Sequence, residues 1–198
     1  MVQKVMIATL YSYEPIIAGV MKLGASELYL LVDERPDVKQ KEALNVIKSR
    51  LADFVKITEV KTNVYDILLV GKVCVDLIDK ISSDSKIILN ISAARKTKAL
   101  GLLFSGYSRF ERVEKIVYIT KENKEIIELP KLKFTLSEKQ RKILSFLNEN
   151  SNSSIYDLMK AIPCSRANAY KQLTQLKEYG YVSENLYSIS NAGRFALL

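Results

Sequence analysis

The stretch Ser165-Arg-Ala-Asn-Ala-Tyr-Lys-Gln-Leu-Thr-Gln-Leu-Lys-Glu-Tyr-Gly-Tyr-Val182 decides how the last third of this chain is read. Ala169, Leu173 and Leu176 recur at the spacing that gathers side chains on one face of a helix. Ser165 stands at an N-cap position, and Gly180 stands where such a helix would end. The opposite face then carries Arg166, Asn168, Tyr170, Lys171, Gln172 and Gln175. Arginine and lysine read guanine or phosphate, and asparagine and glutamine pair with adenine. This face therefore suits a helix lying in the major groove of double-stranded DNA. Arg166, Asn168 and Lys171, nearest the N-terminal turn, are the base-edge candidates. Tyr170, Gln172 and Gln175 are candidates for phosphate or rim contacts.

Working outward, Ser137 and Gln140 form a capping-box pattern ahead of the apolar stripe Ile143, Leu144 and Leu147. Ser154 opens a second helix with Ile155, Leu158, Met159 and Ile162 inward, and Pro163-Cys164 makes the turn. Beyond the third helix, Val182, Leu186, Tyr187 and Ile189 keep strand-like spacing around Ser183-Glu184-Asn185, a small hairpin or wing. Its tip lacks arginine and lysine, so a strong wing–phosphate contact is not expected. Three helices and a hairpin imply a small winged helix-turn-helix domain over residues 135–198. The segments Ser165–Val182 and Tyr187–Gly193 resemble the recognition helix and wing exit of MarR- and ArsR-type regulators.

Residues 130–134 read as a linker, and residues 1–129 follow a different rhythm. Short apolar runs at 5–10, 27–32, 55–60, 86–91 and 116–120 read as strands. Between them fall helical patterns at 14–23, 38–54, 64–81 and 96–107. Pro15 opens the first and Gly24 closes it. Ala43, Leu44, Ile47, Leu51 and Phe54 stripe the second. Asn63 is expected to cap the third, which carries Leu68, Leu69, Val73, Leu77 and Ile81. Residues 125–129 read as a last, antiparallel edge strand. Alternation of this length implies an α/β, Rossmann-like parallel sheet with helices on both faces.

Composition narrows the chemistry. The formal net charge is +8, from 30 basic and 22 acidic residues, which favours anionic partners. From Lys131 onward there are ten basic and five acidic side chains, so the helical tail has the higher positive density. There is no histidine, and the two cysteines, Cys74 and Cys164, lie far apart; a zinc site or disulfide framework is not expected. Both cysteines read as small reduced side chains. No signal peptide or apolar run of membrane-spanning length is apparent, so no membrane association and a cytoplasmic location are expected.

In an open parallel sheet ligands bind beyond the carboxyl ends of the strands. Two loops stand out there: Thr9-Leu-Tyr-Ser-Tyr-Glu14 after the first strand, and Asn90-Ile-Ser-Ala-Ala-Arg-Lys-Thr-Lys98 after the fourth. The second brings small residues, hydroxyls and three cations to the start of a helix, a combination that favours phosphate. The pattern is also that of a helix start that happens to be basic. Neither GxGxxG nor GKS/T occurs, so a dinucleotide fingerprint and a P-loop are not supported.

Asn90-Ile-Ser-Ala-Ala-Arg-Lys96 resembles the Asn-x-Ser/Thr-Gly-Gly-x-Lys/Arg segment of CARF domains, the CRISPR-associated Rossmann folds. A Thr/Ser-rich loop after the first strand is that family's other ligand element. The resemblance covers residues 1–129. With the appended winged helix the chain resembles archaeal CRISPR-associated transcriptional regulators. It departs from the pattern at Ala93-Ala94, where the family has Gly-Gly.

The resemblance implies a homodimer whose paired sensor domains bind a cyclic oligoadenylate, typically cyclic tetra-adenylate, as an allosteric ligand and not as a cofactor. By position, Leu10, Tyr11, Ser12, Ser92, Ala93, Ala94, Arg95 and Lys96 would line that cleft. The expected function is ligand-modulated DNA binding, without catalysis. The alternatives are a metal-independent ring nuclease, with Ser12 and Lys96 positioning the 2′-hydroxyl attack, and a constitutive DNA-binding protein whose first domain only dimerises. A HEPN-type RNase is disfavoured, because it needs a histidine.

Overall fold

The computed structural model describes residues 2–63, 65–129, 136–150, 153–162, 165–183 and 187–198. The chain divides into two compact units, Met1–Lys133 and Phe134–Leu198. The expected linker at 130–134, the Pro163-Cys164 turn, and Glu184, Asn185 and Leu186 of the wing lie outside the described residues.

The first unit alternates strand and helix: β1 Lys4–Thr9, α1 Glu14–Leu23, β2 Glu27–Asp33, α2 Val38–Leu51, β3 Lys56–Thr62, α3 Ile67–Lys80, β4 Lys86–Asn90, α4 Lys96–Ser108, β5 Val113–Ile119 and β6 Ile126–Leu129. The strands form one six-stranded sheet in the order β3-β2-β1-β4-β5-β6. All neighbours are parallel except β5 and β6. Side chains alternate across the sheet and so build two cores. Met6, Ala8, Leu28 and Leu30 pack on one face with Ile16, Val20, Ala43 and Ile47. Val5, Ile7, Leu31, Ile87 and Leu89 pack on the other with Val70, Cys74, Ile78 and Leu102. Burial pushes the Cys74 thiol up to about 12, as befits an inert core side chain.

Three expectations change. Phe54 lies beyond the end of α2 and is 81% exposed, so it does not extend the buried stripe. α3 is capped by Asp66, which accepts from Leu69 N at 2.9 Å, whereas Asn63 accepts from Tyr65 N and Asp66 N one turn earlier. Val64, the expected start of that helix, lies outside the described residues. The face packed on the sheet is that of Val70, Cys74 and Ile78, and Leu69 is exposed.

The second unit contains α5 Glu138–Glu149, α6 Ile155–Ala161, α7 Arg166–Glu178 and α8 Asn191–Leu197. Ser137/Gln140 and Ser154/Asp157 both form capping boxes, and Ser165 accepts from Asn168 N at the start of α7. Ile143, Leu144, Leu147, Leu158, Ala169, Leu173 and Leu176 make its core. Gly180 ends the α7 segment with φ 71°, and an antiparallel bridge joins Val182 to Ile189 at the base of the wing.

The sequence reading took Ser190–Gly193 only as a wing exit, and α8 is an addition to it. Ser190 caps this helix, accepting from Gly193 N at 3.1 Å. A Cβ on Gly193 would stand 2.4 Å from Tyr181 O, so only glycine lets α8 approach that backbone.

Candidate ligand site and nucleic-acid interface

The strand order reverses direction between β1 and β4, which lie side by side with Ala8 opposite Asn90. At such a switch point the loops leave in opposite directions and open a crevice. Asn90 is fully buried there. Its Oδ1 accepts from Ser92 N at 3.1 Å and from the Ser92 hydroxyl, and its Nδ2 donates to Pro15 O at 3.2 Å. Ser92 Oγ in turn accepts from Ile119 N at 2.7 Å. The Ser92 hydroxyl thus ties the loop to β4 and β5. Ala93 is buried and packs into the core of the first sheet face, so it does not line an open cleft. Leu10 is buried likewise, with its carbonyl accepting from Gln40 Nε2 at 2.7 Å.

Arg95 is the N-cap residue of α4, and its side chain makes no cap hydrogen bond. Exposed Lys96 is that helix's first residue. A helix start whose N-cap side chain makes no cap bond, beside two cations, is a place where a phosphate is stabilised. Tyr11 comes close, with its ring 5.6 Å from the Arg95 guanidinium and 4.7 Å from Lys39 Nζ. Ser12 and Ala94 are half-buried in the same two loops.

The sequence reading missed the acidic partners. Arg95 Nη2 lies 3.3 Å from Asp37 Oδ2, and Arg95 Nε lies 3.8 Å from Asp33 Oδ2. Asp33 ends β2 and is nearly buried; it also ion-pairs with Lys98. Lys98 is 1% exposed, and its ammonium donates to Leu31 O at 3.3 Å. Desolvation holds Lys98 below the ordinary lysine range, while Asp33 opposes that shift. Gln40 stitches the corner by accepting from Asp33 N at 2.9 Å. A signal was available: Lys98 shares a helix face with Leu102 and Ser105, both buried, so it points inward. Among the described residues, no cluster of three or more His, Cys, Asp or Glu side chains is arranged to hold a metal ion, and no helix is long and apolar enough to cross a membrane.

On α7 the buried residues Ala169, Leu173 and Leu176 leave Arg166, Tyr170 and Lys171 exposed. Asn168 is half-buried. The guanidinium of Arg166 lies 5.7 Å from the rings of both Tyr156, on α6, and Tyr170. Gln172 and Gln175 sit nearer the packed side. The Gln172 Oε1 atom is buried, and Gln175 Oε1 accepts from Gln140 Nε2 at 3.3 Å. The exposed face is therefore narrower on that side. It also includes Thr174, one turn beyond Tyr170, which helical spacing could have identified.

Residues 4–125 match the HFX_2341_N-like, N-terminal family, and residues 137–184 match the bacterial regulatory protein, arsR family. No curated protein matches the chain. Among solved structures, protein VC1899 from Vibrio cholerae is similar at a TM-score of 0.53 and 11% identity, covering 98% of this chain and 64% of that one. Csm6 from Enterococcus italicus, bound to cyclic hexa-2′-fluoro-hexa-dAMP, is similar at a TM-score of 0.51 and 11% identity, covering 90% of this chain and 55% of that one. A type III CRISPR defence DNA nuclease activated by cyclic oligoadenylate is similar at a TM-score of 0.50 and 10% identity, covering 98% of this chain and 33% of that one. This chain thus spans between a third and two thirds of the length of these neighbours, and the likeness is one of fold. Taken with the six-stranded sheet and the helical unit after it, these matches identify an α/β, Rossmann-like fold followed by an ArsR-type helix-turn-helix, and the chain belongs to the HFX_2341_N-like, N-terminal family.

Proposed function

We propose that this protein is a CRISPR-associated transcriptional regulator that binds double-stranded DNA through α7 and is modulated by a cyclic oligoadenylate, cyclic tetra-adenylate first. The carrying observation is the pairing, in one chain, of two anion-receptive features. Arg95 and Lys96 stand at the start of α4 beside the sheet's switch point, and Arg166 and Lys171 stand exposed on a helix-turn-helix. Neighbours of this fold that are bound to, or activated by, cyclic nucleotides support the choice of ligand.

The reading includes a homodimer. Two α7 helices would meet half-sites one DNA turn, ~34 Å, apart, so a small rotation on ligand binding would change the fit. It also treats the ligand as an effector that is released intact. The test is a titration of promoter DNA with and without each cyclic oligoadenylate, with labelled ligand recovered afterwards. A shifted DNA affinity and intact ligand are the expected results. Unchanged DNA affinity with every ring size would overturn ligand control, and linearised ligand would make the protein a ring nuclease.

A further inference from the structure

The candidate phosphate-binding arginine is already occupied by its own protein. Arg95 Nη2 meets Asp37 Oδ2 at 3.3 Å, with the two side chains 38% and 42% exposed. Beneath them Asp33 is committed to the buried Lys98. The four charges of this corner, Arg95, Lys98, Asp33 and Asp37, cancel. An incoming phosphodiester therefore meets an Arg95 that is already paired, with the exposed Lys96 beside it. Of the two carboxylates, only Asp37 is accessible enough to yield.

Asp37 divides its labour between its two oxygens. Oδ1 caps α2 by accepting from Gln40 N at 2.8 Å, and Oδ2 faces Arg95. The capping role does not depend on charge, because asparagine and serine cap as well as aspartate. The Arg95 contact does depend on it.

We propose that Asp37 is an internal competitor for the ligand. Its carboxylate holds Arg95 in the ligand-free protein, and a phosphate of the bound oligonucleotide takes its place. The device sets an affinity threshold: an anion that contacts Arg95 alone gains little, while one that also reaches Lys96 and the first amides of α4 displaces Asp37 with a net gain. The inference rests on reading the β4–α4 loop as the anion site.

The test measures binding of cyclic tetra-adenylate and, separately, of inorganic phosphate to the full chain, for wild type, Asp37→Asn, Asp37→Ser and Asp37→Asn combined with Arg95→Ala. Both single replacements keep the cap, and unchanged circular dichroism checks this. Exposed ion pairs of this kind convert to a gain of about two- to five-fold in affinity at low salt, shrinking as salt screens the pair. Asp37→Asn combined with Arg95→Ala should show no gain over wild type. Wild-type binding with unchanged or weakened affinity in both single variants would overturn the competitor and leave the ligand reading standing. Tighter phosphate binding by Asp37→Asn, with no cyclic oligoadenylate bound by any protein, would sustain the competitor and sink the ligand reading. Absence of binding to both probes in all four proteins would remove both.

Discussion

Arg95 and Arg166 are the same residue in two different settings. Arg95, in the sheet unit, is held by the carboxylates of Asp33 and Asp37. Arg166, in the helical unit, has the rings of Tyr156 and Tyr170 as neighbours. A carboxylate neutralises a guanidinium, whereas an aromatic face orients it and leaves its charge and N–H groups for another partner. The first setting makes a site that must be opened by competition. The second makes a surface that is ready to bind.

The largest effect that could break this contrast lies beneath Arg95. Replacing Lys98 by alanine strands Asp33, and loss of one partner of a buried pair costs about 3–5 kcal/mol. Urea unfolding of the variant followed by circular dichroism should show that loss in the sheet unit, and adding Asp33→Asn should recover part of it. A loss below about 1 kcal/mol would mean that the sheet unit's charges are not holding its fold.

Next in size is Arg166→Ala, which should weaken DNA binding by about 1–3 kcal/mol if the side chain reads a base edge. Arg95→Ala should leave ligand-free DNA affinity unchanged. Equal losses in a gel-shift titration would erase the distinction between the two arginines.

Tyr156→Ala sharpens the contrast further. An exposed cation–π contact contributes about 0.5–1 kcal/mol, so DNA affinity should fall a few-fold, and Tyr156→Phe should retain it because the ring persists. The smallest expected change in DNA affinity is that of Gln175→Ala. Its amide is engaged by Gln140, so the variant should bind DNA as wild type does while the helical unit loses about 0.5–1.5 kcal/mol of stability. A clear drop in DNA affinity would return Gln175 to the reading face.

Legibility followed sequence distance. The strand–helix alternation, the Ser137/Gln140 box and the α7 stripe all rest on neighbours within one turn or one strand, and all are present in the structure. The α3 start was misplaced because Asn63 and Asp66 are both good caps and a local pattern does not choose between them. The loop at Ser92–Lys96 was recognisable as basic and small. That Ser92 braces the strand ends was not, since its partner Ile119 lies 27 residues away.

The sequence by itself determined the strand–helix alternation, the α7 face and the division between an α/β sheet and a helical unit, because hydrophobic period and capping act over a few residues. Only the tertiary structure decided which cations remain available. Arg95 is neutralised by Asp37, 58 positions distant, and Lys98 is drawn inside to meet Asp33. Charge acts through space, so a cation's availability depends on which carboxylates the fold carries to it.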